Sequence, residues 1–598
     1  MKKIIFVILI LFRFSHAYSE YINFSDSQMK EIFPSTTRYV ISLSGNWDFS
    51  TNNSSWESIK VPNVTTNSGK LIYQRQFRIE KDLLPKYDWS LYFLGMSSEV
   101  EVYINEQFIG KFSSNYIPFT VDIPKKVLTN SNNTIKLIMN GSQDLISYQL
   151  QNDIFSPEFI NGVPRDIFLI GMPQLNISNI LYSSSMERTM TSATINISAT
   201  ITSKDLDNLS KFSSFDSTGN KIINTKSFYI NFQLKDKSNG AVVASSDMIP
   251  FSIEPQRTIT KNYKFNLSGF KTWSYSSPNL YEIVCKVYVG SNLIDENMKN
   301  FAFRLFETNN KTDRKEFLFN GEPFKFKGVY YIENFYHNGN IISGHRFDED
   351  FRQLKILGVN SIIFKYFYPN PYLLSLCDKY GIIAFIDLPL YNTPNKLLSS
   401  ETVIANISNQ VKNMIQVYAA TPSLVAFGLG QGLDDNTTEY ANFLERISKI
   451  VRQNTDKLLY KTIYPQNKLT HNENIDFFIF RPFISHQPFD NLNNLYNITR
   501  EKLKPFPVIF SYGVAIQNDN HEGYSDPLSV EFQGYYAQNL YKISIVNNGY
   551  GSFFCDFNDY HSLNPLLSTR AIYDKYVSKG ILDLNKKNKT SFAVLKAL

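Results

Sequence analysis

At 598 residues the chain is longer than one hydrophobic core serves and calls for three or four domains, and 43% hydrophobic with 15% aromatic residues can fill each. A formal net charge of +6, spread over interspersed Lys and Arg, is too mild and too dispersed for a nucleic-acid-binding surface. Cys285, Cys377 and Cys555 are widely spaced inside apolar runs, which excludes a disulfide framework and reads as buried small hydrophobes. The seven histidines show no His-x-x-His or Cys-x-x-Cys company, so no metal site and no cofactor are expected.

The chain opens on Lys2 and Lys3, an apolar run from Ile4 to Phe12 and small residues at Ser15 and Ala17, the layout of a signal peptide over residues 1–17. The run is shorter than the roughly 18 residues a membrane span needs. No later stretch is apolar enough to span, so the expected location is extracytoplasmic: periplasmic, cell-surface or secreted. Over residues 28–172, short alternating runs rich in Tyr, Phe, Val and Ile, broken by Asn, Ser and Gly, predict an antiparallel β-sandwich. Val100, Val102 and Ile104 alternate inward, and Asn105 with Gly110 brackets a hairpin. Trp47 and the neighbouring tyrosines read as core packing. Residues 173–304 form a second all-β segment, with strand-like runs at 193–201, 228–234 and 280–289, of a size that suits an immunoglobulin-like sandwich.

Over residues 305–598 the pattern becomes strand, helix, strand. Apolar runs at 324–331, 361–367, 382–387, 424–430, 458–463, 475–480, 507–511 and 552–557 number about eight, as a (β/α)8 (TIM) barrel requires. Between them Phe347, Phe351, Leu354 and Leu357, then Leu373, Leu376, Cys377 and Tyr380, recur at helical spacing.

Several runs resemble the family-2 glycoside hydrolases, the β-galactosidase, β-glucuronidase and β-mannosidase group. LSGNWDF from Leu43, LGMSSEVEVYIN from Leu94 and GVPRDI from Gly162 are similar to that family's sugar-binding jelly roll. FAFR from Phe301 is similar to the end of its spacer domain, and LFNGEPFKFKGV from Leu318 and YPNPY from Tyr368 to its barrel. The resemblance implies a jelly roll, an immunoglobulin-like spacer and a TIM barrel. It also implies an acid/base glutamate at the end of the fourth strand and a nucleophilic glutamate after the seventh. Here FGLGQG, Phe427 to Gly432, puts Gly432 at the first place, and FSYG, Phe510 to Gly513, puts Ser511 at the second.

Retaining glycosidases need two carboxyl groups about 5 to 5.5 Å apart. Gly432 has no side chain, and a serine hydroxyl is not ionised at neutral pH. The family's Arg and His near strand two and its Trp on strand eight are also replaced, the last by Cys555, which suggests a less charged mouth. Glu333, Asp387, Gln431, Tyr512 and Asp559 remain as candidate substrate-binding residues. Asp434, Asp435 and Asp519 are candidate displaced acids; otherwise Asp434 and Asp435 cap the helix from about Thr438. Three functions stay open: a catalytically degenerate protein that binds a glycan or acts as an extracytoplasmic scaffold, an active β-glycosidase using displaced carboxylates, and a module that holds a protein partner.

Overall fold

The computed structural model describes residues 24–65, 69–140, 157, 161–204, 213–215, 221–223, 228–309, 314–333, 344–465, 472–482, 489–514, 516, 521–546, 549–562 and 576–598. Residues 1–17 and Asp519 lie outside them.

The first domain is a sandwich of two antiparallel sheets. One, of four strands, runs in the order Tyr39–Ser42, Ile167–Pro173, Tyr87–Phe93, Phe119–Asp122; the other has six strands with Lys70–Arg78 and Asn132–Asn140 at its centre. Alternation puts Val100, Val102 and Ile104 in the shared core beside Trp47, whose indole N–H donates to Leu43 O at 2.7 Å. The hairpin after Ile104 turns on Asn105 and Glu106, both at positive φ (49° and 61°), while Gly110 lies inside the strand Gln107–Phe112. The asparagine thus marks the turn and the glycine does not: Gly110 faces the Phe112 ring, and a Cβ there would stand 2.7 Å from it.

A three-stranded sheet built on Leu175–Met186 faces a larger one built on Phe228–Asp236 and Tyr281–Val289 to form the immunoglobulin-like spacer. A small sheet, Phe306–Asn309 with Glu316–Phe319 and Glu322–Pro323, then leads into the barrel.

The barrel closes from eight parallel strands: β1 Phe326–Tyr331, β2 Ser361–Phe364, β3 Ile383–Asp387, β4 Leu424–Gly428, β5 Leu458–Ile463, β6 Phe477–Phe480, β7 Val508–Tyr512 and β8 Gly551–Phe554. Each coincides with an apolar run of the sequence, because strands covered on both faces carry no polar alternation. Around them pack helices that include Gly344–Ile356, Pro371–Tyr380, Glu401–Tyr418, Thr438–Asn454 and Val530–Ile545. The lower interior is aromatic: Phe326, Phe385 and Phe553 stand 5.4 to 5.7 Å from one another, and Phe317 of the small sheet meets Phe326 at 5.0 Å and closes the floor. Among the described residues no helix is long and apolar enough to cross a membrane.

Candidate functional site

In a closed parallel barrel every second residue of a strand faces the axis, and the last of these line the mouth. Two residues above Phe385, Ile479, Ile509 and Phe553 come Asp387, Arg481, Ser511 and Cys555. Asp387, Arg481 and Cys555 belong to one polar chain across the mouth, and Ser511 stands outside it. The Tyr366 N–H donates to Tyr391 Oη (3.0 Å), and Tyr391 donates to Asp387 Oδ2 (3.3 Å). Gln431 Nε2 donates to the same oxygen (2.5 Å), and the Tyr460 hydroxyl donates to Oδ1. Arg481 donates to Gln431 Oε1 and, from Nη2, to Cys555 Sγ at 3.2 Å; Cys555 in turn donates to Asp556 Oδ1 at 2.8 Å.

Glycine makes this arrangement possible at Gly428, since a Cβ there would collide with the Asp387 carboxylate and the Tyr460 ring. Beyond β4 the chain turns at Gly430 (φ 90°) and Gly432 (φ 67°). The loops after β3 and β4 are zipped together between those turns: Gln431 N–H donates to Leu390 O at 2.8 Å and Asn392 N–H to Gln431 O at 3.0 Å. Gln431 is therefore held from both its backbone and its side chain.

Burial is the largest influence on Asp387 and pushes its carboxyl up to about 6, against the pull of Tyr460, Gln431, Lys365 and Tyr391 toward the ionised form. Burial raises the Cys555 thiol to about 11 although Arg481 opposes it. Lys365 is buried with its ammonium 4.1 Å from the Tyr366 ring centre. Lys579, also buried, is brought down to about 7, first by burial, while the charges of Arg481 and Lys365 push the same way and Cys555 and Asp556 resist.

The expectation of a less charged mouth is thus corrected. Lys365, Arg481 and Lys579 sit there, and parity along β2 and β6 was the signal that could have placed the first two. Cys555, expected as a buried small hydrophobe, is buried but works as a polar link.

The candidate residues separate into two groups. Asp387, Gln431 and Ser511 meet at the mouth, where Ser511 Oγ lies beside the Tyr330 hydroxyl and neither makes a well-formed hydrogen bond. At Gly432 the positive φ disfavours any side chain, and a Cβ would fall inside the Asn392 amide. Glu333 is turned toward the first domain: Arg165 Nε and Nη2 clasp its two oxygens at 3.0 and 2.7 Å, and the Asn370 N–H adds a bond of 3.2 Å.

Asp435 pairs with Lys461 Nζ at 2.6 Å. Since Tyr460 faces the axis, Lys461 faces outward, and its ammonium stands 5.2 Å from the Tyr440 ring of helix Thr438–Asn454. Asp434 is exposed and accepts from Asn436 N–H at 3.0 Å, and the helix cap expected of the two aspartates is supplied by Thr437, which accepts from Tyr440 N–H at 3.4 Å. Tyr512 packs outward against Phe510 and Phe554, and Asp559 binds Lys589 Nζ (2.7 Å) and Gly580 N–H (2.8 Å).

Comparison with known proteins agrees with this architecture. Residues 34–173 match the profile described as glycosyl hydrolases family 2, sugar binding domain; residues 191–304 match glycosyl hydrolases family 2; and residues 311–596 match glycosyl hydrolases family 2, TIM barrel domain. A beta-glucuronidase of Bacteroides fragilis is 23% identical over 406 residues, covering 64% of this chain and 54% of the relative. A beta-galactosidase of Thermoanaerobacter pseudethanolicus is 22% identical over 465 residues, covering 74% and 58%. The chain thus spans little more than half the length of these relatives. Among solved structures, a Bacteroides uniformis beta-glucuronidase superposes with a TM-score of 0.79 at 15% identity, over 94% of this chain and 69% of that one. The beta-glucuronidase of Ruminococcus gnavus gives 0.78 at 15% identity, over 94% and 98%.

Proposed function

The chain belongs to family 2 of the glycosyl hydrolases, and from that premise we propose that it is an exported member whose barrel mouth binds an acidic sugar without hydrolysing it. Export is supported by the basic, apolar and small-residue succession of residues 1–17. The observation that carries the binding reading is the composition of the mouth. Lys365, Arg481 and Lys579 converge there with Asp387 and Asp556, while Gly432 and Ser511 occupy the places at which the family resemblance puts carboxylates.

Asp387 is no substitute for the lost pair, because three donors and its own burial fix it in place. A retaining mechanism needs a mobile proton on one carboxyl and an unencumbered charge on the other. A sugar carboxylate, by contrast, would find a guanidinium and two ammonium groups in a low-dielectric setting, where charge-assisted hydrogen bonds are strongest. It would also raise Lys579 back toward its ordinary range, so binding above pH 7 takes up a proton.

The test is calorimetric titration of the purified chain with glucuronic acid and with glucose, in two buffers of different ionisation enthalpy at pH 8, beside assays on aryl β-galactoside, glucuronide, mannoside and glucoside. Glucuronic acid is expected to bind with proton uptake and glucose to bind at least about tenfold more weakly. Arg481→Ala should erase that preference. No aryl glycoside should turn over; turnover would revive the β-glycosidase reading and direct attention to Asp387 and Asp556.

A further inference from the structure

Between the first sandwich and the spacer, away from the barrel mouth, lies a cleft of about 500 Å3. One wall is the outer face of the four-stranded sheet, with Tyr92, Ile170 and Met172. The second is the spacer, through Asn176, Ser178 and Thr202, and the third is the segment Ile32–Arg38, which lays Phe33 against Tyr92 with ring centres 5.2 Å apart. The volume falls within the roughly 300–1,000 Å3 of small-molecule sites, and an apolar floor with a few placed polar groups is their usual composition.

The polar groups narrow the ligand class. Both cations on the lining are already matched: Arg38 Nη2 lies 3.1 Å from Asp295 and Lys204 Nζ 2.7 Å from Asp122, so the cleft offers an anion no unpaired charge. Two amides have their nitrogens engaged by backbone, Asn176 Nδ2 on Pro173 O (2.8 Å) and Asn297 Nδ2 on Ile177 O (3.0 Å). With those nitrogens spent, what the amides have left for a ligand is acceptor oxygen, while the Asp122 carboxylate is taken by Ser90 Oγ at 2.8 Å and Lys204 Nζ at 2.7 Å. A ligand that satisfies them must carry several hydroxyl donors around its edge and one apolar face for Phe33 and Tyr92, which describes a pyranose ring.

We propose that this cleft is a second carbohydrate site, for a neutral sugar of one or two rings, distinct in place and in charge preference from the mouth. It does not depend on the mouth reading, because none of its lining residues belongs to the barrel interior.

The experiment titrates the full chain with cellobiose, maltose and lactose by calorimetry, alongside Thr120→Trp and Ser178→Trp, two exposed lining positions whose enlargement fills the cleft. Thermal melting checks that both variants fold, and Arg481→Ala reports on the mouth. Saturable binding of at least one disaccharide is expected, weakened about tenfold or more by either filled variant and untouched by Arg481→Ala. Absence of binding by all three sugars up to roughly 10 mM overturns the proposal. So does binding that both folded variants retain, or binding that Arg481→Ala abolishes, which would put the sugar in the mouth.

Discussion

The two ends of the barrel are made from the same strands and the same alternation, and they differ by a single step of two residues. Below that step stand Ile363, Phe385, Ile479 and Phe553; above it stand Lys365, Asp387, Arg481 and Cys555. The lower layer is held by area and ring packing, which tolerates no polar group without a partner. In the upper layer polar side chains are bound one to the next, from Tyr391 through Asp387 and Gln431 to Arg481, Cys555 and Asp556. Closing the fold and equipping the site are therefore separate tasks, and residues at the mouth can change identity while the base goes on closing the barrel.

The largest test of that separation is Phe553→Ala. Removing a ring that Phe326 and Phe385 both touch should cost about 3–5 kcal/mol in chemical denaturation while leaving the acidic-sugar preference intact in the folded fraction. A comparable loss of preference would mean that base and mouth are one unit.

A smaller effect probes the mouth. The Asp387 carboxyl sits at about 6, above its ordinary value of 3.8, so the folded state holds that proton more tightly than the unfolded chain. Its stabilising contribution is full below about pH 4 and is lost as the pH rises through about 6. In Asp387→Asn the unfolding free energy should accordingly fall less between pH 4 and 7 than in the unmutated chain. Asp378, Asp435 and Asp559, also at about 6, retain their share of the slope. Parallel urea-denaturation curves across that range would show that Asp387 does not titrate there.

The smallest effect lies outside the comparison and calibrates it. Thr437→Ala removes a helix cap and should cost about 1 kcal/mol with no change in sugar binding, measured by the same two methods.

The eight strands were legible because burial on both faces writes itself as largely apolar runs, broken only at single residues such as Lys327 and Lys461, and the order of the domains followed from where alternation gave way to strand and helix. Strand ends were less legible: β2 stops at Phe364, though aromatic residues resume beyond Lys365 at Tyr366 and Phe367. Gln431 and Asp387 could be placed from the sequence since Asp387 ends β3 and Gln431 follows β4 closely. Lys365 and Arg481 were hidden because each stands one residue past the end of its strand, although counting parity from Ile363 and Ile479 brings both to the axis. Asp435 was misleading for the opposite reason. It follows β4 as closely as a mouth residue would, but the turns at Gly430 and Gly432 carry it behind the strand to Lys461. No linear pattern announces such a turn of direction.

The clasp between Arg165 and Glu333 bears on how this chain can be rearranged in descent. Arg165 divides its hydrogen bonds between its own sandwich, at Leu94 O and Tyr116 O, and the barrel, at Glu333 and Tyr368 O. A gene that exchanged the sandwich for an unrelated module would strand a buried carboxylate on the loop after β1, at a cost of roughly 3–5 kcal/mol. The sandwich and the barrel are thus bound to be inherited as a pair, and shuffling can act freely only on parts that do not carry either half of the clasp.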